Sequence, residues 1–266
     1  MREGVQANCQ GKGTMMKAAF GLRTLLGAIA VALCSDVTAQ TTYTWVQTSD
    51  GDWSVNANWA PSAPPAGGGD SIRLDFNAAG TFTADNDLAG DFHLHRLLFM
   101  SGAPTVSGNP LVLTNFGAVF PAISNSAAIL SQILTPIVLG TNALVGSVAG
   151  GTIRLAGDIS GPGNLTNGGP GAVVLSGNNS YSGLTVVMAT GNGAWQGLVL
   201  SNTTGGTAIP GNINLGRGGG NNVYLRLGAD EQIADTAVIT FDTANNHGRF
   251  MLLGRTETIA GLQTTT

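Results

Sequence analysis

His93 and His95 stand two residues apart, a spacing that puts both imidazoles on one face of a β-strand and could let them share a metal ion. No cysteine lies near them and His247 is remote in sequence, so the pair is read as edge or surface histidines and no metal is expected. The run Asp85-Asn86-Asp87-Leu88-Ala89-Gly90-Asp91 has the beginnings of a calcium loop. Ala89 stands where a ligand belongs and Arg96 where the closing Glu belongs, so the template fails. Nucleophilic chemistry finds no Gly-x-Ser-x-Gly, and Gly161-Pro162-Gly163 and Gly191-Asn192-Gly193 lack the third glycine and the helix of a phosphate cradle. Among the carboxylates, Asp50 and Asp52 flank Gly51 as turn formers, and Asp230 and Glu231 would face opposite ways on a strand. Trp45, Trp53 and Trp59 could stack on sugar rings if exposed and coplanar; the preferred expectation is that they plug the open end of a core. No catalytic residue and no cofactor are assigned.

The background to these residues is unusual. Of 266 residues 40 are Gly, and only 10% are charged, which argues against a helical or ordinary α/β enzyme. A hydrophobic fraction of 43% is too high for a disordered polymer. With 11 Lys and Arg and a net charge of −4, there is no clustered basic footprint for nucleic acid, and none is expected as a partner.

Residues 1–39 read as a secretory signal: Lys17 and Arg23, the apolar run Leu25 to Leu33, and Val37-Thr38-Ala39 before Gln40. Met15 and Met16 sit where such a signal would start, so the residues before them look like an over-called beginning. Cleavage after Ala39 removes Cys9, Cys34, Lys12 and Lys17, leaving a chain with no disulfide, no lysine and a net charge of −6. Twenty Asn, abundant Gly and Thr, and only Glu231 and Glu257 as glutamates make poor helix material.

Strands joined by tight turns are the expectation. Short apolar stretches alternate through Ile72, Leu74 and Phe76; Leu94, Leu97 and Phe99; Leu111 and Leu113; Ile137 and Leu139; Ile153 and Leu155, each bounded by Gly, Asn, Asp or Pro. The segment from Ala122 to Gly151 is the most apolar, but Asn125, Ser131, Gln132, Pro136 and Asn142 interrupt it too often for a membrane span. Strand spacing of roughly 10 residues with turns at Gly and Asn suits a solenoid. The organisation expected is an irregular Trp-rich N-terminal cap over 40–76 and repeats over 77–266, clearest at 150–187.

Within that stretch, Ile159-Ser160-Gly161-Pro162-Gly163-Asn164-Leu165 followed by Leu175-Ser176-Gly177-Asn178-Asn179-Ser180-Tyr181-Ser182-Gly183-Leu184-Thr185 resembles the autotransporter-associated β-strand repeat. Looser likeness extends to Trp53 to Phe76, to Arg226 to Ile233 and to Glu257 to Leu262. The resemblance implies an all-β, right-handed parallel β-helix passenger, exported to the surface or surroundings of a Gram-negative-type bacterium. It implies no reaction. In such a coil Gly161, Gly163, Gly177 and Gly183 are expected to supply positive φ at corners, and Asn178 and Asn179 to stack or bond between turns. Leu165, Val174, Leu175, Tyr181 and Val186 are expected in core or coil-covering positions, with Thr185 closing the motif.

Three functions follow as expectations. The first is a non-catalytic structural or adhesive passenger whose partners are surface glycans or host and matrix components. The second is a polysaccharide-acting enzyme on the same scaffold, and the third a carbohydrate-binding module built on the tryptophans. The bare ending at Gln263-Thr264-Thr265-Thr266 reads as a fragment, with any outer-membrane translocator beyond this chain.

Overall fold

The computed structural model describes residues 39–188, 197–216, 223–242 and 248–265, and these belong to one compact unit spanning Thr38–Thr266. The expected export signal lies, but for Ala39, outside the described residues. Among those described, no helix is long and apolar enough to cross a membrane.

Residues that alternate apolar and polar with period two form strands, and the strands stack in parallel from coil to coil. They build three sheets of eleven, nine and four strands among the described residues, which is a parallel β-helix. The long sheet runs from Thr41–Trp45 through Ile72–Phe76, Arg96–Phe99, Ala122–Asn125, Ala143–Ser147, Leu165–Gly168 and Thr185–Val187 to Gly261–Thr264. The second sheet includes Thr81–Asn86, Ala103–Gly108, Leu130–Ile133, Thr152–Leu155 and Ala172–Leu175. The short sheet holds Phe92–Leu94, Leu111–Leu113, Ile137–Leu139 and Ile159–Ser160. Among the described residues the strand ladders are parallel except one, where Trp59–Ala60 runs antiparallel beside Thr41–Trp45 and covers that edge. Thr41–Trp45 pairs directly with Ile72–Phe76, so the solenoid's first coil already lies within residues 40–76.

Inward side chains stack into columns. Leu74, Leu97, Ile123 and Val145 are in register and no more than 1% exposed, and Phe76 stacks on Phe99 at 5.5 Å between centroids. At ~25 cal/mol per Å² of apolar area removed from water, such columns supply the main stabilisation of a protein without disulfides in its described part. The tryptophans close the first coil. Trp45, Trp53 and Trp59 are 0%, 0% and 3% exposed, and Trp59 meets the other two edge-on at 5.0 and 5.6 Å with interplanar angles of 89°. A sugar platform of exposed coplanar rings is thereby overturned: large aromatics fill the end of the column, where burial stabilises more than exposure to solvent.

The repeat motif resolves residue by residue. Leu165, Leu175, Tyr181 and Thr185 are buried at 2% exposure or less, and Val186 at 7%. Val174 is half-buried and turns outward, because strand alternation gives the inward place to Val173 at 1%. The Tyr181 hydroxyl shares a 2.6 Å hydrogen bond with the Thr185 hydroxyl, and burial pushes the phenol well above its ordinary pKa.

Of the four motif glycines only Gly161 has positive φ, at 102°. For Gly163, Gly177 and Gly183 that expectation is corrected. Their need for glycine is steric, because a β-carbon at each would collide with the backbone of Thr141, Gly157 and Gly163 respectively, one coil below. The residues that follow these contact points then cap one another: the Asn142 side-chain oxygen accepts the Asn164 backbone N–H at 3.0 Å, and that of Asn164 accepts Leu184 N–H at 2.7 Å. At another corner Asp158 accepts Asn178 N–H at 2.8 Å and Asn178 accepts Thr207 N–H at 3.0 Å. Asn179 reaches both ways, accepting Ile159 N–H at 2.8 Å and donating to the Ala208 carbonyl at 2.7 Å. The asparagines read from the sequence as inter-turn links are such links.

Candidate functional site

The residues that suggested chemistry in the sequence are spread through the coils and bound into them. His93 lies in Phe92–Leu94 and is half-buried, whereas His95 sits at the bend before Arg96–Phe99 and is 2% exposed. The break at His95 removes the shared strand face that a metal pair needs. Its Nδ1–H faces the Thr114 carbonyl at 3.2 Å, its ring packs 5.8 Å from Phe116, and burial lowers its pKa. Among the described residues no His, Cys, Asp and Glu cluster could hold a metal ion; His247 lies outside them.

The calcium-like run is occupied by structure. Asp85 accepts the Ser107 hydroxyl at 2.6 Å, Asn86 donates to the Asn109 carbonyl at 3.0 Å, and Asp87 accepts the Ser54 N–H at 2.8 Å. Asp50 accepts Thr83 N–H at 2.7 Å. Asp230 and Glu231 lie in a bend rather than a strand, and both serve the following coil by accepting the N–H groups of Thr256 at 2.9 Å and Thr258 at 3.0 Å. Glu257 reaches back to the N–H groups of Gln232 at 2.8 Å and Ile233 at 3.0 Å, and partial burial raises its pKa. Carboxylates so engaged hold turns together and converge on no common groove.

A place with room for a ligand is one that sequence reasoning did not single out. On the outer face of the long sheet, Arg73, Arg96, Ala122, Leu144 and Thr166 form one register column across five coils. Period-two alternation puts them outward because their neighbours Leu74, Leu97, Ile123 and Val145 point in. The interval from Leu97 to Ile123 is longer than that from Ile123 to Val145, and the extra length forms a hairpin in which Phe116 and Val119 exchange 3.1 Å backbone hydrogen bonds. That hairpin carries Val119 and Phe120 to the side of the column, 49% and 51% exposed, beside Leu144 at 42%.

Together they enclose a groove of about 400 Å³ with Arg96 at one end and Asn142, Asn164 and Thr166 at the other. Ala122 keeps its floor low, and Gly146 and Gly168 carry no side chain in the next outward column, over which Leu144 leans to within 2.9 Å of where a β-carbon on Gly168 would lie. Arg73 is committed to Asp75 through two hydrogen bonds of 2.7 and 3.0 Å. Arg96 faces no carboxylate within ion-pair distance among the described residues, so it is a cation available to a ligand. The only sequence signal was the alternation that sends Arg96 outward; its companions lie on other coils. Searches against protein-family models, curated proteins and solved structures find no match to this chain, so its fold and groove stand on its own residues.

Proposed function

We propose that the chain is an exported, non-catalytic β-helix whose work is mechanical and adhesive: a surface or extracellular passenger of the autotransporter-associated repeat type, directed outward by residues 1–39. The observation that carries this reading is the use made of the polar side chains. Asp50, Asp85, Asp87, Asp158, Asp230, Glu231 and Glu257, which a hydrolase or lyase would need free, accept hydrogen bonds that tie coils to one another. A carboxylate whose position is fixed by bonds to a neighbouring coil is poorly placed to reach a substrate as a general base. The repeat motif points the same way, since each of its residues has a packing or capping task in the coil.

The test is fractionation of cells producing the full chain, with N-terminal sequencing of the product and assay of soluble and insoluble polysaccharides for newly released reducing or unsaturated ends. The expected result is surface-bound or released protein beginning at Gln40, with no glycan cleavage. Protein retained inside the cell with residues 1–39 intact would overturn export. Glycan cleavage abolished by a single Asp→Asn change would replace the passenger with a polysaccharide-acting enzyme.

A further inference from the structure

We propose that the groove between the Phe116–Phe120 hairpin and the outward column of the long sheet binds an acidic glycan, with uronate carboxylates paired to Arg96. The proposal rests on the extracellular setting argued above but not on the absence of catalysis. Its core is the donor pattern of the lining. The side-chain oxygens of Asn142 and Asn164 each accept one N–H, of Asn164 and Leu184 respectively, which fixes the amides so that each offers an NH₂ with two donors and at most one further acceptor site. Arg96 only donates, and Thr166 adds a hydroxyl. The groove therefore asks for an occupant that supplies acceptors at several points along its length and a negative charge at one.

Charge complementarity makes the occupant anionic. Arg96 is unopposed by a carboxylate among the described residues, while its column neighbour Arg73 is already neutralised by Asp75. The donors rule on the remainder of the molecule. Asn142 and Asn164 sit on successive coils, about 4.8 Å apart along the solenoid. A fatty acid would place methylenes against both half-exposed amides and displace the water that now serves them without offering acceptors in return. A peptide would gain no backbone pairing, since the groove lies on a sheet face and not at a strand edge. A chain of uronic acids meets every demand: carboxylates for Arg96, ring and glycosidic oxygens for the amides, and apolar C–H faces for Phe120 and Leu144. The volume of about 400 Å³ accommodates a short stretch of such a chain, not a single small ion.

The experiment is affinity electrophoresis and calorimetry of the full chain with polygalacturonate and alginate, alongside fully methyl-esterified pectin, oleate and an acidic peptide rich in Phe and Leu. Binding of at least one polyuronate is expected, weakened by raised salt and by esterification. R96Q should weaken it about tenfold and F120A about fivefold, with circular dichroism unchanged because both side chains are on the outside. R154Q, on the outer face of the second sheet and away from the groove, should change affinity by less than twofold. No polyuronate binding, or binding indifferent to both R96Q and F120A, overturns the proposal. Preferential binding of oleate or of the peptide overturns it in favour of an acyl or protein partner. None of these outcomes bears on whether the chain is exported or cleaves glycans, so the two readings fail separately.

Discussion

Replacing Asn179 by Ala isolates the contribution of a side chain that spans three coils. Its amide is 5% exposed, takes the Ile159 N–H at 2.8 Å from the coil below and gives its own N–H to the Ala208 carbonyl at 2.7 Å in the coil above. Truncation leaves a buried donor and a buried acceptor without partners. Each orphan costs about 1–3 kcal/mol, so the change should destabilise by about 4 kcal/mol. With a urea dependence of ~2 kcal/mol per M, the midpoint should fall by about 2 M. Asn178 is the internal control: it is exposed and its oxygen serves only the Thr207 N–H, which water can satisfy, so N178A should cost under ~1 kcal/mol.

Asn179→Asp sharpens the argument. It keeps the acceptor for Ile159 but sets a carboxylate oxygen against the Ala208 carbonyl. A buried carboxyl is held above its ordinary pKa, so the stability it contributes is present when protonated and lost as pH rises through the folded value. N179D should therefore recover on acidification while N179A does not. Amide hydrogen exchange at Ile159 gives the local readout. The reasoning fails if N179A unfolds within 0.5 M of the parent, or if N178A and N179A are equally destabilised.

Two further predictions concern sterics and protons. G163A drives a β-carbon into the Thr141 carbonyl and should cost about 1–3 kcal/mol, whereas G261A, with open space at that position and no positive φ, should fall within ~0.5 kcal/mol of the parent in the same urea experiment. His95 and Glu257 should give opposite acid responses in stability measured against pH. Burial lowers the His95 pKa below 6.5, so its contribution is complete above pH 6.5 and lost as pH falls toward the lowered value; H95Q should abolish that loss. Burial raises Glu257 above 4.5, so acidification from neutrality through its folded value should stabilise the C-terminal coils slightly, and E257Q should flatten that gain.

The strands were legible because the inward columns obey period two over short distances. Ile72, Leu74, Phe76, Leu97, Phe99, Leu111, Leu113, Ile137, Leu139, Ile153 and Leu155 all lie in strands and all are buried. The roles of Asn178 and Asn179 as links between turns were legible for the same local reason. What the sequence hid was anything that depends on which residue of the next coil lies overhead. Gly163 and Gly177 look like turn glycines until the carbonyls beneath them are in place. Arg96, Phe120, Leu144 and Thr166 are unremarkable where they stand in the chain, and become neighbours only through coils of unequal length, since a four-residue difference set the hairpin beside the column. His95 was misplaced by a single bend that strand periodicity does not announce.

The corner caps have a direction. From Asn142 to Asn164 to Leu184, and from Asp158 to Asn178 to Thr207, the acceptor always belongs to the earlier coil and the donor to the later one. Along these two lines each finished turn presents side-chain oxygens to the next, although beside the second line Ile159 and Asn179 send their own N–H groups forward, to the Asn179 side-chain oxygen and the Thr207 carbonyl. Along these lines the earlier and later sides of a coil differ in chemistry, as a growing filament has two unlike ends. A chain winding from its tryptophan-filled first coil would meet, along these lines, acceptors set by the residues already in place.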